Sequence, residues 1–449
     1  MFSRFKWLIP VAGLFFHTVV FSQSNSEAEK KSDVVYNAIG ITSIPANGPL
    51  SLELDARFQH RDHRPVHPLD KFDTSINSPK SVNYLPSKKK FYVQSLEGFE
   101  TAVYDMETFS KLKVIKHTFN KENQHLFKDG ESTTFDYTFR FRKTDFNFFS
   151  GKPVESCFSH EGRYLWVTYY RRSYDKNSES PSAVAIIDTD SDEIVRVIPT
   201  GILPKMIACS PDNRFIAVTH WGDNTMGIID IKSENVMDWK YTHHLVVDKR
   251  LNVMFKAGED VNRDEDCGYC LRGTVFTPDS EYLLVGRMGG GGVAVFDVKN
   301  DFKYLGVTFT QYHNIRHLII SGDHLIISTN VNGYVQKTDW REFVRHRVQN
   351  AGKTTTLSEG WSNCYVGPGV RTVVASSDGR YIFACVNNLS KIVAIDESMN
   401  KVAEISADSF PVGMEITDDN QYLLVTAQGK ARKGGGHSVA IYRITYANP

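Results

Sequence analysis

One degenerate phrase recurs along this chain. An apolar residue precedes Ser or Thr, then a Pro/Ser–Asp–Gly/Asn turn, an aromatic–aliphatic run, a loop, and a segment ending in Asp. The copies CSPDNRFIAVTHWGDNTMGIIDI (209–231), FTPDSEYLLVGRMGGGGVAVFDV (276–298) and ASSDGRYIFACVNNLSKIVAIDE (375–397) show it most clearly. A supersecondary unit of this length cannot bury its apolar faces alone, so the copies must pack on one another. Seven anchors align, at Ser87, Ser159, Ser210, Thr277, Ser321, Ser376 and Thr417.

The turn residues have a mechanism. Asp and Asn accept hydrogen bonds from turn backbone and tolerate positive φ, and Pro presets φ at the first corner. Runs such as Tyr282-Leu283-Leu284-Val285 and Tyr422-Leu423-Leu424-Val425 are apolar at successive positions, as in strands sandwiched between neighbours. Third strands end in Asp105, Asp188, Asp230, Asp297, Asp339 or Asp396, and the fourth are more polar. The expected fold is all-β: a seven-bladed β-propeller of four-stranded antiparallel blades. The last unit runs out after its third strand, His437 to Tyr446, so an N-terminal strand such as Val34 to Ile41 is expected to close the ring.

The 449 residues therefore read as a secretory signal (1–22), an N-terminal segment with the closing strand (23–79) and the propeller (80–449). Arg4 and Lys6 precede the apolar stretch from Trp7 to Phe21, and Val20 and Ser22 stand at −3 and −1 of a cut before Gln23. A membrane anchor is the competing reading. The run is short for a span, and no other run approaches membrane length. A periplasmic or secreted protein without an integral span follows. The formal net charge is zero, which removes any global electrostatic case for nucleic acid.

Long connections are expected at 118–152, 170–182, 238–271, 341–370 and 430–437, between second and third strands or between blades. Both classes emerge on one face of an up-and-down propeller, so that face carries long insertions. Connections this long are usually functional or disordered. Within the first, Thr134 to Arg142 alternates and is expected to form a hairpin cap.

The second strands end in Trp166-Val167-Thr168-Tyr169 and Ala217-Val218-Thr219-His220, and Gly201-Ile202-Leu203-Pro204 precedes an inner strand. Over about residues 75–449 the chain thereby resembles the YVTN-type, lactonase-like propellers. Units one and five depart most from the phrase. The resemblance implies the fold; its members include surface-layer-like proteins, exported binding proteins and lactonases.

Counting back five residues from successive anchors reaches Lys205, Arg272, Arg316 and Arg371, with Lys80 near the same place in the first blade. Equivalent positions form a ring around the axis. Arg suits bidentate capture of carboxylate or phosphate, so an anion site is expected there. Alternatively these cations pair with carboxylates such as Asp223, Glu155 or Asp264, or face water. Trp221, Trp361, Tyr170, Arg171 and Arg172 belong to connections assigned to the same face, and such residues dominate interfaces. They can equally well only pack the loops onto the blades.

Cys267-Gly268-Tyr269-Cys270 lies among acidic residues, which raise thiol pKa, so a local structural disulfide is the main reading and zinc with Cys364 or a His a minor one. Cys157, Cys209 and Cys385 read as buried thiols. His60, His63 and His67 could hold a metal, but Arg57, Arg61 and Arg64 repel a cation, and Pro65 and Pro68 prevent a helix; a solvated connection fits better. The glycines 289–292 and 434–436 lack nucleotide-loop spacing. No motif calls for a metal or a cofactor. The expected function is non-catalytic binding of a cell-envelope protein or a small anionic ligand, through the decorated face and the cation ring, with His220 among the ligand-binding residues. The alternative is a lactonase-like hydrolase using His220, Arg272, His313, Arg316 and Glu155 at the mouth of the channel.

Overall fold

Seven antiparallel sheets stand around one axis in the computed structural model, which describes residues 34–140, 143–252, 261–429 and 436–447. The segment 1–22, expected to be a secretory signal, lies outside the described residues. The inner strands of blades 1 to 7 are Pro79–Leu85, Phe149–Ser159, Pro204–Cys209, Leu271–Phe276, Ile315–Ser321, Val370–Ala375 and Pro411–Ile416. Each packs on the next, and the last packs on the first, so the ring is closed. Gly413 permits the final contact, because a Cβ there would stand 2.2 Å from the Lys80 carbonyl oxygen.

Closure uses the N-terminus, but through a different segment from the expected one. Leu50–Gln59 pairs antiparallel with Ser438–Tyr446 and becomes the fourth strand of blade 7. Leu50, Leu52 and Leu54 are buried on its inner face, with Tyr442 and Ile444 opposite. Val34 to Ile41 forms no strand, and only an isolated bridge joins Thr42 to Glu53. The alternating Leu-Ser-Leu-Glu-Leu pattern matches a half-buried strand, whereas the earlier segment is interrupted by Asn37 and Gly40.

The recurring phrase is explained by its turn. The anchor hydroxyls of Ser210, Thr277, Ser376 and Thr417 donate to Asp212, Asp279, Asp378 and Asp419 at 2.5–2.6 Å. The same oxygens accept the N–H of Phe215, Tyr282, Tyr381 and Tyr422 at 2.9–3.0 Å. Asn213, Ser280, Gly379 and Asn420 sit at positive φ, between 54° and 72°. The turn thus fixes the register of the second strand, whose Leu283, Leu284, Leu423 and Leu424 are fully buried between blades. Each such side chain contributes roughly 1.5–3 kcal/mol.

The connections before blade 2, within blade 2, and between blades 3 and 4 leave on the expected face. The fourth strand of blade 3 is Lys240–Val246, so the last of these starts beyond it. The part of 341–370 that carries a helix, Trp340–Gln349, does not share that face. It joins the third strand of blade 5, Tyr334–Asp339, to the fourth, Ser362–Tyr365, and so emerges on the opposite face. Most of the connection 430–437 lies outside the described residues. No hairpin forms among the described residues of 134–142; Phe135 sits at φ 53° and Tyr137 turns inward to be buried.

Candidate functional site

Every inner strand carries a register shift near its start. It spans Pro79/Val82, Pro153/Ser156, Pro204/Ile207, Leu271/Thr274, Ile315/His317, Val370/Val373 and Pro411/Gly413. A bulge re-aims the residues it contains. Those residues include Lys80, Lys205, Arg272, Arg316 and Arg371, each the second residue of its strand, and in blade 2 Glu155. The expected cation ring thus stands on a repeated backbone irregularity that the residue pattern does not show.

The shape of the ring is held from the neighbouring blade. The Thr168 hydroxyl donates to the carbonyl of Lys205 at 3.2 Å, and the Ser328 hydroxyl to that of Arg371 at 2.5 Å. The Thr426 hydroxyl donates to the carbonyl of Lys80. All three hydroxyls belong to buried second strands. At Thr168, Ser328 and Thr426 the second-strand hydroxyl therefore ties one blade to the ring position of the next, whereas Thr219 bonds Met206 within its own blade.

Below the ring lies an axial cavity of about 280 Å³, lined among others by Arg272, Arg316, Arg371, Glu155, His317 and Glu415. Arg272 Nη2 donates to Glu155 Oε1 at 2.5 Å. Arg316 Nη1 contacts Met288 Sδ at 2.9 Å, and its Nε has no partner. Among the described residues neither Arg316 nor Arg371 pairs with a carboxylate. Arg371 is 8% exposed, and its guanidinium faces the cavity with the Phe410 ring 5.8 Å away. Lys80 and Lys205 flank the cavity. Lys80 Nζ donates to Gln428 Oε1 at 2.9 Å, and Lys205 Nζ to Asp264 at 3.1 Å.

Crowding of like charge shows in the titration of these groups. Burial, reinforced by repulsion from Arg371, Lys205 and Arg272, holds the Lys80 amine well below its ordinary range. Burial lowers Lys205 to about 7, with Asp264 opposing and Arg272 adding to the shift. Burial and Arg272 lower Arg371 to about 9, and Arg316 is also held well below its usual value. Burial pushes the Glu415 carboxyl up to about 7 and His317 down to about 4. Glu155 and Asp264 answer three guanidiniums and two amines, and burial with mutual repulsion disfavours the charged form of the amines.

Asp264, in the connection between blades 3 and 4, pairs with Lys205 beside the cavity. Lys205 Nζ also lies 4.1 Å from the Tyr170 ring centroid and 5.0 Å from that of Trp221. Trp221 Nε1 donates to the Asp264 carbonyl at 3.1 Å. The sulfurs of Cys267 and Cys270 stand 2.05 Å apart, at bonding distance, and Cys267 packs with Trp221, Ile202 and Tyr137. Cys364 and Cys385 are buried thiols, while Cys157 and Cys209 are half-buried.

Several expected site residues serve elsewhere. His220 is fully buried in blade 3, bound to Thr200, Thr225 and the Gly201 N–H, and does not line the axial cavity. Tyr137 joins it to Asp223 and His244, so the network fastens the first insertion to blade 3. Arg172 is 1% exposed and donates to the carbonyls of Phe146 and Ser132 at 2.6 and 2.7 Å; it staples that insertion and faces no ligand. Arg171 donates to the Lys176 carbonyl within its own loop. Trp361 packs near Phe343 and bonds the Leu357 carbonyl on the opposite face. His313 is exposed and lies outside the cavity lining. The set His220, Arg272, His313, Arg316 and Glu155 therefore does not converge; only Arg272, Arg316 and Glu155 share the cavity. His60 and His63 pack on Phe72, and His67 Nδ1 accepts the Leu69 N–H.

Glu415 and His317 were missed. Each interrupts an apolar inner strand, Val412-Gly413-Met414-Glu415-Ile416 and Ile315-Arg316-His317-Leu318-Ile319. A titratable residue in such a run was the available signal.

No family model matches the chain, and no curated protein sequence matches it. Solved structures do. Hydrazine synthase of Kuenenia stuttgartiensis is similar at 12% identity and a TM-score of 0.55, over 85% of this chain and 99% of that one. The β-propeller domain of Cps50 (Swd1) from Myceliophteria thermophila is similar at 12% identity and a TM-score of 0.54, over 82% and 98%. This chain is a seven-bladed β-propeller. At that identity the likeness concerns the fold alone, and a propeller is compatible with a binding or scaffold role. No helix among the described residues is long and apolar enough to cross a membrane.

Proposed function

We propose that this propeller is an exported binding module of the YVTN type, and that its axial cation site takes an anion, free or carried on a partner protein of the cell envelope. One observation carries the reading: the Arg316 and Arg371 guanidiniums stand at one cavity with no carboxylate partner among the described residues. Buried cations are costly unless paired, so an incoming anion relieves a penalty already present in the empty site. The insertions on the same face as the mouth supply surface for a larger partner. The N-terminal segment with its basic start and apolar run, together with the Cys267–Cys270 contact, supports export.

The test is calorimetric titration of the mature protein with sulfate, small carboxylates and an oligoglutamate peptide at low salt, beside an Arg316→Gln/Arg371→Gln variant. Binding by the parent that the double variant loses, while its melt shows a folded protein, is expected. If no anion binds the parent, or the variant binds equally, the axial reading fails.

A further inference from the structure

We propose that the ligand of the axial cavity is a small organic dicarboxylate, one carboxylate on Arg316 and the other on Arg371, with its short carbon body against the apolar strand walls. The inference rests on the anion-binding reading above and specifies its chemistry.

Charge sets the valence. Arg272 is matched by Glu155 and Lys205 by Asp264, which leaves two cavity guanidiniums unmatched. Each presents a fork suited to one carboxylate, and the Arg272–Glu155 pair already shows that chemistry within the same cavity. Volume sets the size. About 280 Å³ is the share of roughly nine waters, which admits a four- to six-carbon diacid. The walls set the body. Val82, Ile319, Val373 and Ile416 line the cavity beside the charged groups, so the carbon chain between the carboxylates is covered by apolar surface.

The same walls argue against a phosphate ester. Phosphate sites are typically built on successive backbone N–H groups at a helix N-terminus or a glycine turn. Here the described lining residues all come from inner strands, and none stands at a helix N-terminus. Glu415 adds a further constraint. Its carboxyl lies in the cavity without a cationic partner among the described residues, so in its protonated form it donates a hydrogen bond to a carboxylate oxygen and in its ionised form repels one. Binding is then accompanied by proton uptake near neutral pH.

The experiment is titration calorimetry of the full mature chain with succinate, its monoanionic counterpart butyrate, and glycerol 3-phosphate, at pH 7 in two buffers of different ionisation enthalpy. Succinate is expected to bind about 10- to 100-fold more tightly than butyrate, the worth of one charge-assisted guanidinium contact. It should also bind more tightly than the phosphate ester, with net proton uptake. Arg316→Gln and Arg371→Gln should each reduce succinate to the level of butyrate; Arg371→Lys, which keeps the charge, serves if the Gln variant does not fold. Butyrate binding as tightly as succinate, or the phosphate ester binding more tightly, overturns the dicarboxylate assignment while leaving an anion site standing. Loss of every anion interaction, sulfate and oligoglutamate included, instead removes the anion-binding reading itself.

Discussion

The Ser328 hydroxyl of blade 5 donates to the backbone carbonyl of Arg371 in blade 6 at 2.5 Å, and both groups are buried. An inter-blade bond therefore sets where a cavity guanidinium begins. Ser328→Ala leaves that carbonyl without its donor, at about 1–2 kcal/mol of stability. The variant should also weaken anion binding, because the Arg371 strand can shift. Denaturant melts and titrations on one preparation check this; unchanged affinity with a lowered melt would mean the bond is only structural.

Glu155 occupies part of the site as an internal anion for Arg272. Glu155→Gln should lower stability by about 3 kcal/mol, since the buried Arg272 charge is left uncompensated. It should at the same time tighten anion binding, because Arg272 becomes available. Weaker binding by a folded Glu155→Gln protein contradicts this view of the cavity.

Glu415 titrates near 7 in the folded protein, above its ordinary value, because burial disfavours its ionised form. A raised carboxyl pKa gives stability that is complete below the unfolded value and lost as pH rises through the folded one. Between about pH 4.5 and 7 its contribution should therefore fall, by about 1–3 kcal/mol once cavity solvent is allowed for. Glu415→Gln should flatten that limb of a melting-temperature profile. An identical slope in parent and variant assigns the pH dependence to another group.

Arg172 fastens the first insertion through carbonyls of Ser132, Phe146 and Ser182. Arg172→Met should cost about 3 kcal/mol, as several buried acceptors lose their donor, yet leave small-anion binding intact. A melt combined with titration separates the two effects, and lost binding in a folded variant would return Arg172 to the site.

The Cys267–Cys270 contact closes a short loop beside Trp221 and Asp264. Non-reducing peptide mapping of the protein should find these two residues joined. Cys267→Ser should cost about 2 kcal/mol and weaken binding less than twofold. A bond from either residue to Cys364, or both thiols free, refutes the pairing.

The architecture was legible in the sequence because its signals are local. The Ser/Thr–x–Asp turn of the clearest copies, the positive-φ position and the apolar run each act within a few residues, and the seven aligned units imply packing on one another. The phase of the repeat also placed Lys205, Arg272, Arg316 and Arg371 at equivalent strand positions. Alternation misled at 134–142, where Tyr137 gains more by reaching Asp223 and Thr225 in blade 3 than a hairpin would give. The closing strand differed from the expected segment for another reason: which N-terminal segment pairs with Ser438–Tyr446 depends on partners almost four hundred residues away.

What each side chain does was decided only by the tertiary structure. Arg172 and Arg371 look alike in sequence, yet one is saturated by loop carbonyls and the other faces the cavity. His220 follows the strand-end motif, yet Thr200, Thr225 and Tyr137 enclose it. Glu155, in its bulge, and Glu415, in a regular stretch of strand, meet the arginines only once the ring has closed. The sequence alone determined the repeating unit, because turns and strand faces are short-range properties; ring closure alone determined the site, because charge balance and desolvation depend on neighbours contributed by every blade.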